Sequence, residues 1–155
     1  GGFLPLGVTT CTGQIAEAYN STDLEKTFFH GHSYTANPLA CAAANASFEL
    51  LMNETCQKQI VEIGKLHTAF AGSLKGNKHI HDLRVLGTIL ALELRTKEES
   101  AYTNSLRSKI YPFFLKKNIL LRPLGNVIYV LPPYVINADE LKYIYQAIVE
   151  FLDSL

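Results

Sequence analysis

The fold of the second part of this chain is decided by residues 79–95, which read HIHDLRVLGTILALELR. Aliphatic side chains run through both halves of this stretch, and Gly87-Thr88 separates them. The pattern predicts two β-strands, His79–Leu86 and Ile89–Arg95, with a turn between them. Helical patterns on both sides then indicate a mixed α and β domain rather than a sheet alone.

The segments around these strands complete a small domain over residues 54–155. Apolar residues at helical spacing predict a first helix from Glu54 to about Gly76. The further elements expected are a helix over Tyr102–Lys117, strands over Ile119–Pro123 and Val127–Leu131, and a helix over Ala138–Leu155 capped by Asn137. The fold class is therefore α+β, with helices packed on a short, mostly antiparallel sheet. The histidines expected on the surface of this domain are His67, His79 and His81.

Charges are scarce in residues 1–53, which hold only 5 of the 28 charged residues (14 Lys+Arg plus 14 Asp+Glu). Because charged residues normally cover solvated surfaces, this part is expected to be covered by other protein. Its expected elements are a strand over Phe3–Thr10, a helix around Thr12–Tyr19, a loop over residues 21–35, and a helix over Pro38–Met52 capped by Asn37. That last helix is apolar on almost every side, which predicts that it is buried all round.

The composition excludes several classes of protein. The 155 residues have a formal net charge of zero, which gives no electrostatic reason to expect nucleic acid or an acidic membrane surface. No apolar run approaches the roughly 18–20 residues of a membrane-spanning helix. The opening residues GGFLP include neither an initiator Met nor the basic region of a signal peptide, so we expect the C-terminal portion of a longer protein. Three cysteines without C-x-x-C spacing favour a reducing, cytoplasmic location.

The loop over residues 30–38 is the first candidate site. It places small hydroxyl residues, a glycine and backbone amides just before a helix N-terminus, an arrangement that suits an anion. The alternative is a capping loop with solvated histidines. A metal site at His30 and His32 would need a third ligand, and the sequence offers none nearby, so no metal is predicted.

Arg122 is the second candidate, between the apolar run 119–121 and Pro123. Burying a guanidinium there costs free energy unless a carboxylate or phosphate binds it, so Arg122 is a candidate for binding an anion. The alternative is an exposed arginine whose aliphatic stem lies along the protein surface. Tyr129 lies between aliphatic residues, where a core tyrosine with a locally bonded hydroxyl is the ordinary outcome. Spacing alone assembles neither a glycine-rich nucleotide motif nor a nucleophile–histidine–acid arrangement.

Three segments together resemble a known family. They are GGFLPL (1–6), FHGHSYTANPLACAAA (29–44) and LRPLGNVIYVLPPY (121–134). These segments are similar to the class III, fold-type I aminotransferases that depend on pyridoxal 5'-phosphate (PLP), and within them to the members of biotin biosynthesis. The resemblance implies that residues 1–53 are the tail of the large, PLP-binding α/β domain with a dimer-interface segment. Residues 54–155 would then be the small C-terminal domain.

The resemblance also implies roles for five residues. His32 and Ser33 correspond to positions that bind the cofactor phosphate at the active site of the neighbouring subunit. Gly31, Arg122 and Tyr129 correspond to positions at the substrate, where Arg122 would hold the substrate carboxylate. His32 stands where some relatives have proline, so Ser33 and the backbone would be the main phosphate ligands.

The family's Schiff-base lysine, in its Ser-Lys-x-x-Thr-Gly-Gly motif, would lie four residues before Gly1, so no catalytic residue is assigned to this chain. The chain alone is therefore expected to be inactive. The implied parent is a homodimer that converts 8-amino-7-oxononanoate to 7,8-diaminononanoate, with S-adenosyl-L-methionine or another amino donor. The alternatives are a class III aminotransferase of an ω-amino acid or diamine, and a non-enzymatic α+β module that binds a small acid or a partner surface.

Overall fold

The structure is a computed structural model that describes residues 2–98 and 102–155. The chain divides into two compact units, Gly1–Asn53 and Glu54–Leu155. What these units correspond to in a longer enzyme stays a prediction. None of the helices in the described residues is long and apolar enough to cross a membrane.

The first unit consists of two helices and a short 3-10 turn. Helix α1 spans Gly13–Glu17, the 3-10 turn spans Leu24–Lys26, and helix α2 spans Pro38–Met52. The bounds predicted for α2 are confirmed, and so is its cap. Asn37 Oδ1 accepts hydrogen bonds from the N–H groups of Leu39 (3.0 Å) and Ala40 (3.3 Å).

The strand predicted over Phe3–Thr10 is absent. Residues 3–10 are exposed, and the described part of the first unit contains no strand with which they could pair. A strand without a neighbour leaves its backbone N–H and C=O groups without ladder partners. The aliphatic pattern is therefore not sufficient to form a strand here.

Within this chain by itself, α2 is not buried all round. Ala40 is the only buried residue of the helix, while Leu39, Phe48 and Leu50 are 71%, 62% and 71% exposed. The chain itself does not cover these apolar sides. That another protein surface covers them stays a prediction.

The second unit packs three helices on one three-stranded sheet. Its elements are α3 (Glu54–Ser73), β1 (Ile80–Leu86), β2 (Ile89–Leu94), α4 (Arg107–Lys116), β3 (Val127–Val130) and α5 (Ala138–Asp153). The sheet order is β1-β2-β3 and both pairs are antiparallel, with Leu83 opposite Leu92 and Leu92 opposite Ile128. Gly87 turns the chain between β1 and β2 with a φ of 57°, a left-handed value that suits glycine. The α+β fold class is confirmed.

The core of the second unit lies between the sheet and the apolar faces of its helices. The capping box of α5 fixes its start, because Asn137 Oδ1 accepts the Glu140 N–H while Glu140 Oε2 accepts the Asn137 N–H, each at 2.9 Å. One face of α5 packs into this core, with Leu141, Tyr145, Ile148, Phe151 and Leu152 buried and Ile144 partly buried.

The strand predicted over Ile119–Pro123 is also absent. Ile119 and Leu121 are buried and Arg122 is exposed, so the side chains alternate as in a strand, but the segment belongs to no sheet. Pro123 has no N–H to donate to a ladder. The segment instead passes over the core as an irregular connection between α4 and β3.

Helix α4 is shorter than predicted, because it begins at Arg107 instead of Tyr102. Asn104 Oδ1 accepts the N–H of Leu106 at 3.1 Å, and this local turn occupies the segment before the helix. Tyr102 therefore lies outside the helix, with its ring beside the Arg107 guanidinium.

The prediction that His67 lies on the surface is wrong, because its side chain is fully buried. Its Nε2 lies 3.1 Å from the carbonyl oxygen of Thr88, and its Nδ1 lies 2.6 Å from the hydroxyl oxygen of Tyr145. Both ring nitrogens are thus satisfied within the core. His81 is exposed as predicted, and His79 is half-buried.

Candidate functional site

A cleft of about 1000 Å³ in the second unit contains both of the substrate-site residues predicted there, Arg122 and Tyr129. Its walls come from the segment after α4, from β3 with the residues that follow it, and from the first turns of α5. The apolar wall residues include Ile119, Leu121, Val130, Pro132, Ile136 and Ile144. The cleft therefore combines a hydrocarbon surface with a guanidinium group.

Arg122 is held at this cleft by its neighbours in the chain. Leu121 and Pro123 are buried on either side of it, whereas Arg122 itself is exposed. Among the described residues, no carboxylate lies within 4.0 Å of its guanidinium. The charge of Arg122 is therefore available to an anionic ligand.

The other charged side chains that line the cleft already have partners. Asp139 pairs with Lys142, Glu140 accepts the Asn137 N–H, and Lys117 pairs with Glu150. The hydrogen bond from Lys117 lowers the pKa of the Glu150 carboxyl, which keeps this pair charged. Within residues 2–98 and 102–155, Arg122 and Glu140 are thus the charged groups of the cleft without an ion-pair partner, and the Glu140 carboxylate is used in the cap of α5.

Tyr129 reaches the same cleft from β3. It stands opposite Ala91 of β2, and it is half-buried between the buried Ile128 and Val130. Its hydroxyl has no hydrogen-bond partner among the residues that the structure describes. Tyr129 is therefore not the core tyrosine with a locally bonded hydroxyl that is the ordinary outcome. Its hydroxyl is free to hydrogen-bond a polar group of a ligand.

The loop before α2 uses most of its polar groups internally. The His32 N–H donates to Thr35 Oγ1 and the Tyr34 N–H donates to His32 Nδ1, each at 3.2 Å. Asn37 accepts from the first amides of α2, so these N–H groups are already occupied. The alternative of a capping loop therefore describes this helix end better than an anion site built on free helical amides.

Ser33 is the residue of this loop that best fits an anion. Its N–H and its hydroxyl have no hydrogen-bond partner in the described part of the chain, and the residue is exposed. Both groups can donate to oxygens of one phosphate. The imidazole of His32 accepts the Tyr34 N–H at Nδ1, so Nε2 carries the ring proton and is the remaining donor of this side chain. A Cβ atom built at Gly31 would meet no atom within 4 Å, so the space beside the Gly31 backbone is open.

One contact at the start of α4 is not indicated by the sequence. The guanidinium carbon of Arg107 lies 5.3 Å from the centre of the Tyr102 ring. The nearby Arg122 and Arg107 lower the pKa of the Tyr102 phenol. Neither Tyr102 nor Arg107 belongs to a motif, so no local pattern reports this contact.

Comparison with known proteins decides the family. The sequence matches the family described as Aminotransferase class-III over residues 1–152. The chain belongs to this family. Its members depend on PLP, and membership favours the enzyme interpretations over a free-standing binding module.

Relatives and solved structures align with nearly all of this chain. The chain is 40% identical over 155 residues to the adenosylmethionine-8-amino-7-oxononanoate aminotransferase of Synechococcus elongatus, of which it covers 36%. The crystal structure of the enzyme of that name from Methanocaldococcus jannaschii aligns with a TM-score of 0.73 and 31% identity, over 92% of this chain and 32% of that one.

A class III aminotransferase of another kind aligns as well. An amine transaminase from an uncultivated Pseudomonas species, solved in its PLP-bound form, gives a TM-score of 0.81 and 26% identity over 96% of this chain and 35% of its own. The chain therefore spans about a third of the length of the relatives that it matches.

Proposed function

We propose that the full-length protein is a PLP-dependent aminotransferase of biotin biosynthesis that converts 8-amino-7-oxononanoate to 7,8-diaminononanoate. S-adenosyl-L-methionine is the proposed amino donor. The observation that carries the proposal is the cleft in which Arg122 and Tyr129 meet apolar walls. The identity of 40% to a relative named for this reaction supports it.

In this function Arg122 binds the carboxylate of the acceptor. A guanidinium can donate two parallel N–H bonds to a carboxylate, which fixes its orientation as well as its position. The acceptor carries its carboxylate on a hydrocarbon chain, and the apolar walls, Ile136 and Ile144 among them, can bury that chain. The Tyr129 hydroxyl is proposed to bind a polar group of the substrate, and Gly31 to line the substrate site with its backbone.

Ser33 and His32 are proposed to hold the phosphate of PLP. PLP supplies an electron sink for the carbon atom from which the amino group is transferred. The two free donors of Ser33 fit the phosphate, whereas the His32 N–H already donates to Thr35 Oγ1, so Nε2 of the imidazole is the donor that His32 can add. The family's cofactor-binding lysine motif does not occur in residues 1–155, so we propose that this chain alone is inactive.

A second subunit is the proposed partner. The exposed apolar side chains of α2, such as Leu39, Phe48 and Leu50, form a surface that is unfavourable in water and is suited to burial against protein. The active enzyme is thus proposed to be a cytoplasmic homodimer. Its ligands would be small molecules rather than nucleic acid or membrane lipid.

The proposed function has a direct test. The full-length protein with PLP and S-adenosyl-L-methionine should convert 8-amino-7-oxononanoate to 7,8-diaminononanoate, detected by mass spectrometry. The 155-residue chain at the same concentration should form no product, because it lacks the lysine motif. Absence of product from the full-length protein with any amino donor would rule the proposed reaction out.

A second candidate function is transfer to or from an ω-amino acid or a diamine. The structural match to an amine transaminase favours it. A panel of acceptors, each assayed with the same donors, separates the two candidates. Turnover of ω-amino acids or diamines with none of 8-amino-7-oxononanoate would favour the second.

Ser33→Ala in the full-length enzyme should weaken PLP affinity by about 1–3 kcal/mol, the scale of a hydrogen bond to a charged group. PLP titration of the apoenzyme, followed by absorbance, measures the change. Ser21→Ala is the matched control, because the Ser21 hydroxyl accepts the Asp23 N–H within its own loop and should not affect PLP. Equal PLP affinity of Ser33→Ala and wild type would show that Ser33 does not bind the phosphate.

A further inference from the structure

The turn at Gly125 begins an antiparallel hairpin that is bonded at one pair of residues. The Leu124 N–H donates to the Val127 carbonyl at 2.9 Å, and the Val127 N–H donates to the Leu124 carbonyl at 3.0 Å. Gly125 has a φ of 62°, and a glycine with positive φ at the first of two turn residues is typical of hairpin turns. We call residues 119–123 the first arm of this hairpin and residues 127–131 the second arm.

Beyond that pair, the backbone groups of the two arms are unpaired. Bonded pairs recur at every second residue of an antiparallel ladder, so the next pairs would be Arg122 with Tyr129 and Leu120 with Leu131. In the part of the chain that the structure describes, the backbone N–H and C=O groups of Leu120, Arg122 and Leu131 have no hydrogen-bond partner. The arms therefore retain the donors and acceptors of a ladder that has not formed.

Tyr129 has the same property on β3, which is an edge strand of the sheet. The Leu94 N–H donates to the Asn126 carbonyl at 3.0 Å, so Asn126 and every second residue after it direct their backbone groups toward β2. The N–H and C=O groups of Tyr129 therefore point away from β2, toward the side on which a paired first arm would lie.

The burial of the side chains fits the same register. A hairpin continued from the Leu124 and Val127 pair would place buried residues opposite buried ones and outward residues opposite outward ones. The buried residues are Leu121, Pro123, Ile128 and Val130, and the outward ones are Leu120, Arg122, Leu131 and the half-buried Tyr129. Pro123 does not prevent this pairing, because it stands between two bonded pairs, where a backbone N–H would point away from β3.

Closure of the arms would bring the two substrate-site residues together. Arg122 and Tyr129 lie on different arms, and both arms line the cleft. In a bonded pair the Cα atoms are about 5.5 Å apart and the side chains lie on the same side of the ribbon. A ligand that binds both the guanidinium and the phenol therefore favours the paired form over the open one.

We propose that the two arms close into a two-stranded β-ribbon when the acceptor binds, with Arg122 paired to Tyr129 and Leu120 paired to Leu131. The inference rests on the proposed function, in which Arg122 and Tyr129 bind the acceptor. Closure narrows the cleft and fixes the spacing of the two side chains that hold the ligand.

A disulfide between the arms tests the pairing in the full-length enzyme. Leu120→Cys with Leu131→Cys places two thiols at a bonded pair, whose Cα separation of about 5.5 Å suits a disulfide. With 8-amino-7-oxononanoate and no amino donor, this disulfide should form at least about fivefold faster than without the acceptor. Mass spectrometry of the linked peptides measures its formation. Leu120→Cys with Val135→Cys is the matched control, because Val135 is 88% exposed but has no place in the ladder, and the acceptor should not accelerate its disulfide.

Hydrogen exchange of the wild-type enzyme tests the same pairing without a substitution. The acceptor should slow exchange of the Leu120, Arg122, Tyr129 and Leu131 amides at least about fivefold. The Leu124 and Val127 amides, which are already bonded, should change by less than about twofold.

Three results would overturn the inference. They are equal disulfide rates with and without the acceptor, an equal acceleration in the control pair, and unchanged exchange of the four amides. If the wild-type enzyme converts 8-amino-7-oxononanoate, any of these results leaves the proposed function standing. A wild-type enzyme that neither binds nor converts the acceptor would overturn both.

Discussion

Arg122→Lys in the full-length enzyme should lower kcat/KM for 8-amino-7-oxononanoate by about 2–5 kcal/mol. The ammonium of lysine is a point charge, so it cannot reproduce two parallel N–H bonds to a carboxylate. Arg122 has no ion-pair partner among the described residues of the cleft, so the ligand would be its main counter-charge. The expected loss is therefore larger than for an exposed arginine that is already paired.

The fold should change little in this variant. Arg122 is exposed, and the buried side chains of Leu121 and Pro123 keep its segment in place. Steady-state kinetics and thermal unfolding should be measured together, with Arg95→Lys as the matched control. Arg95 is exposed, lies outside the cleft and forms no ion pair in the described residues, so its variant should keep the wild-type kcat/KM.

Two outcomes would contradict the substrate role of Arg122. One is a kcat/KM near that of wild type. The other is a loss of kcat/KM matched by a large fall in the melting temperature, because Arg122 would then be a structural residue.

The parts of the fold with a local signal can be predicted from the sequence. Helix α2 begins where predicted because Asn37 and Pro38 define its start within the segment itself. Asn137 does the same for α5 through its capping box. Gly87 marks the turn between β1 and β2 because its left-handed φ suits glycine.

The parts that depend on distant partners cannot be predicted in this way. Residues 3–10 and 119–123 carry the aliphatic pattern of strands, but the sequence does not reveal whether a neighbouring strand exists. His67 has the polarity of a surface residue, yet its partners Thr88 and Tyr145 lie 21 and 78 residues away along the chain. Only the tertiary fold brings these groups together.

The same limit applies to the candidate site. The sequence singles out Arg122, because a cation in an apolar run needs an acceptor. The structure adds that Arg122 shares a cleft with Tyr129. In the loop before α2 the structure narrows the prediction to Ser33, because Asn37 already occupies the amides of the helix.

His67→Ala should lower the free energy of unfolding of this chain by about 3–5 kcal/mol, since it creates a cavity and leaves two buried polar groups without a bond. The imidazole connects α3 with Tyr145 of α5 and with Thr88 in the turn between β1 and β2. Urea unfolding measures the change. His81→Ala, at an exposed position of β1, should change stability by no more than about 0.5 kcal/mol.

The buried imidazole should also make stability depend on pH. The carbonyl of Thr88 can only accept, so Nε2 carries the proton and Nδ1 accepts from the Tyr145 hydroxyl. Burial raises the pKa of Tyr145 to about 12, which keeps that hydroxyl protonated. Burial likewise lowers the pKa of His67 below its ordinary value of 6.5, although the bond to Thr88 opposes this shift.

Below about pH 6.5 the unfolded chain therefore binds a proton at His67 that the folded chain does not. The contribution of His67 to the free energy of unfolding is complete above that pH, and it falls as the pH drops toward the pKa of the folded state. Urea unfolding between pH 7.5 and pH 5 should show this slope in wild type and in His81→Gln, and a shallower slope in His67→Gln. If His67→Gln retains the full slope, other groups are responsible for the pH dependence, and the buried neutral imidazole is not its cause.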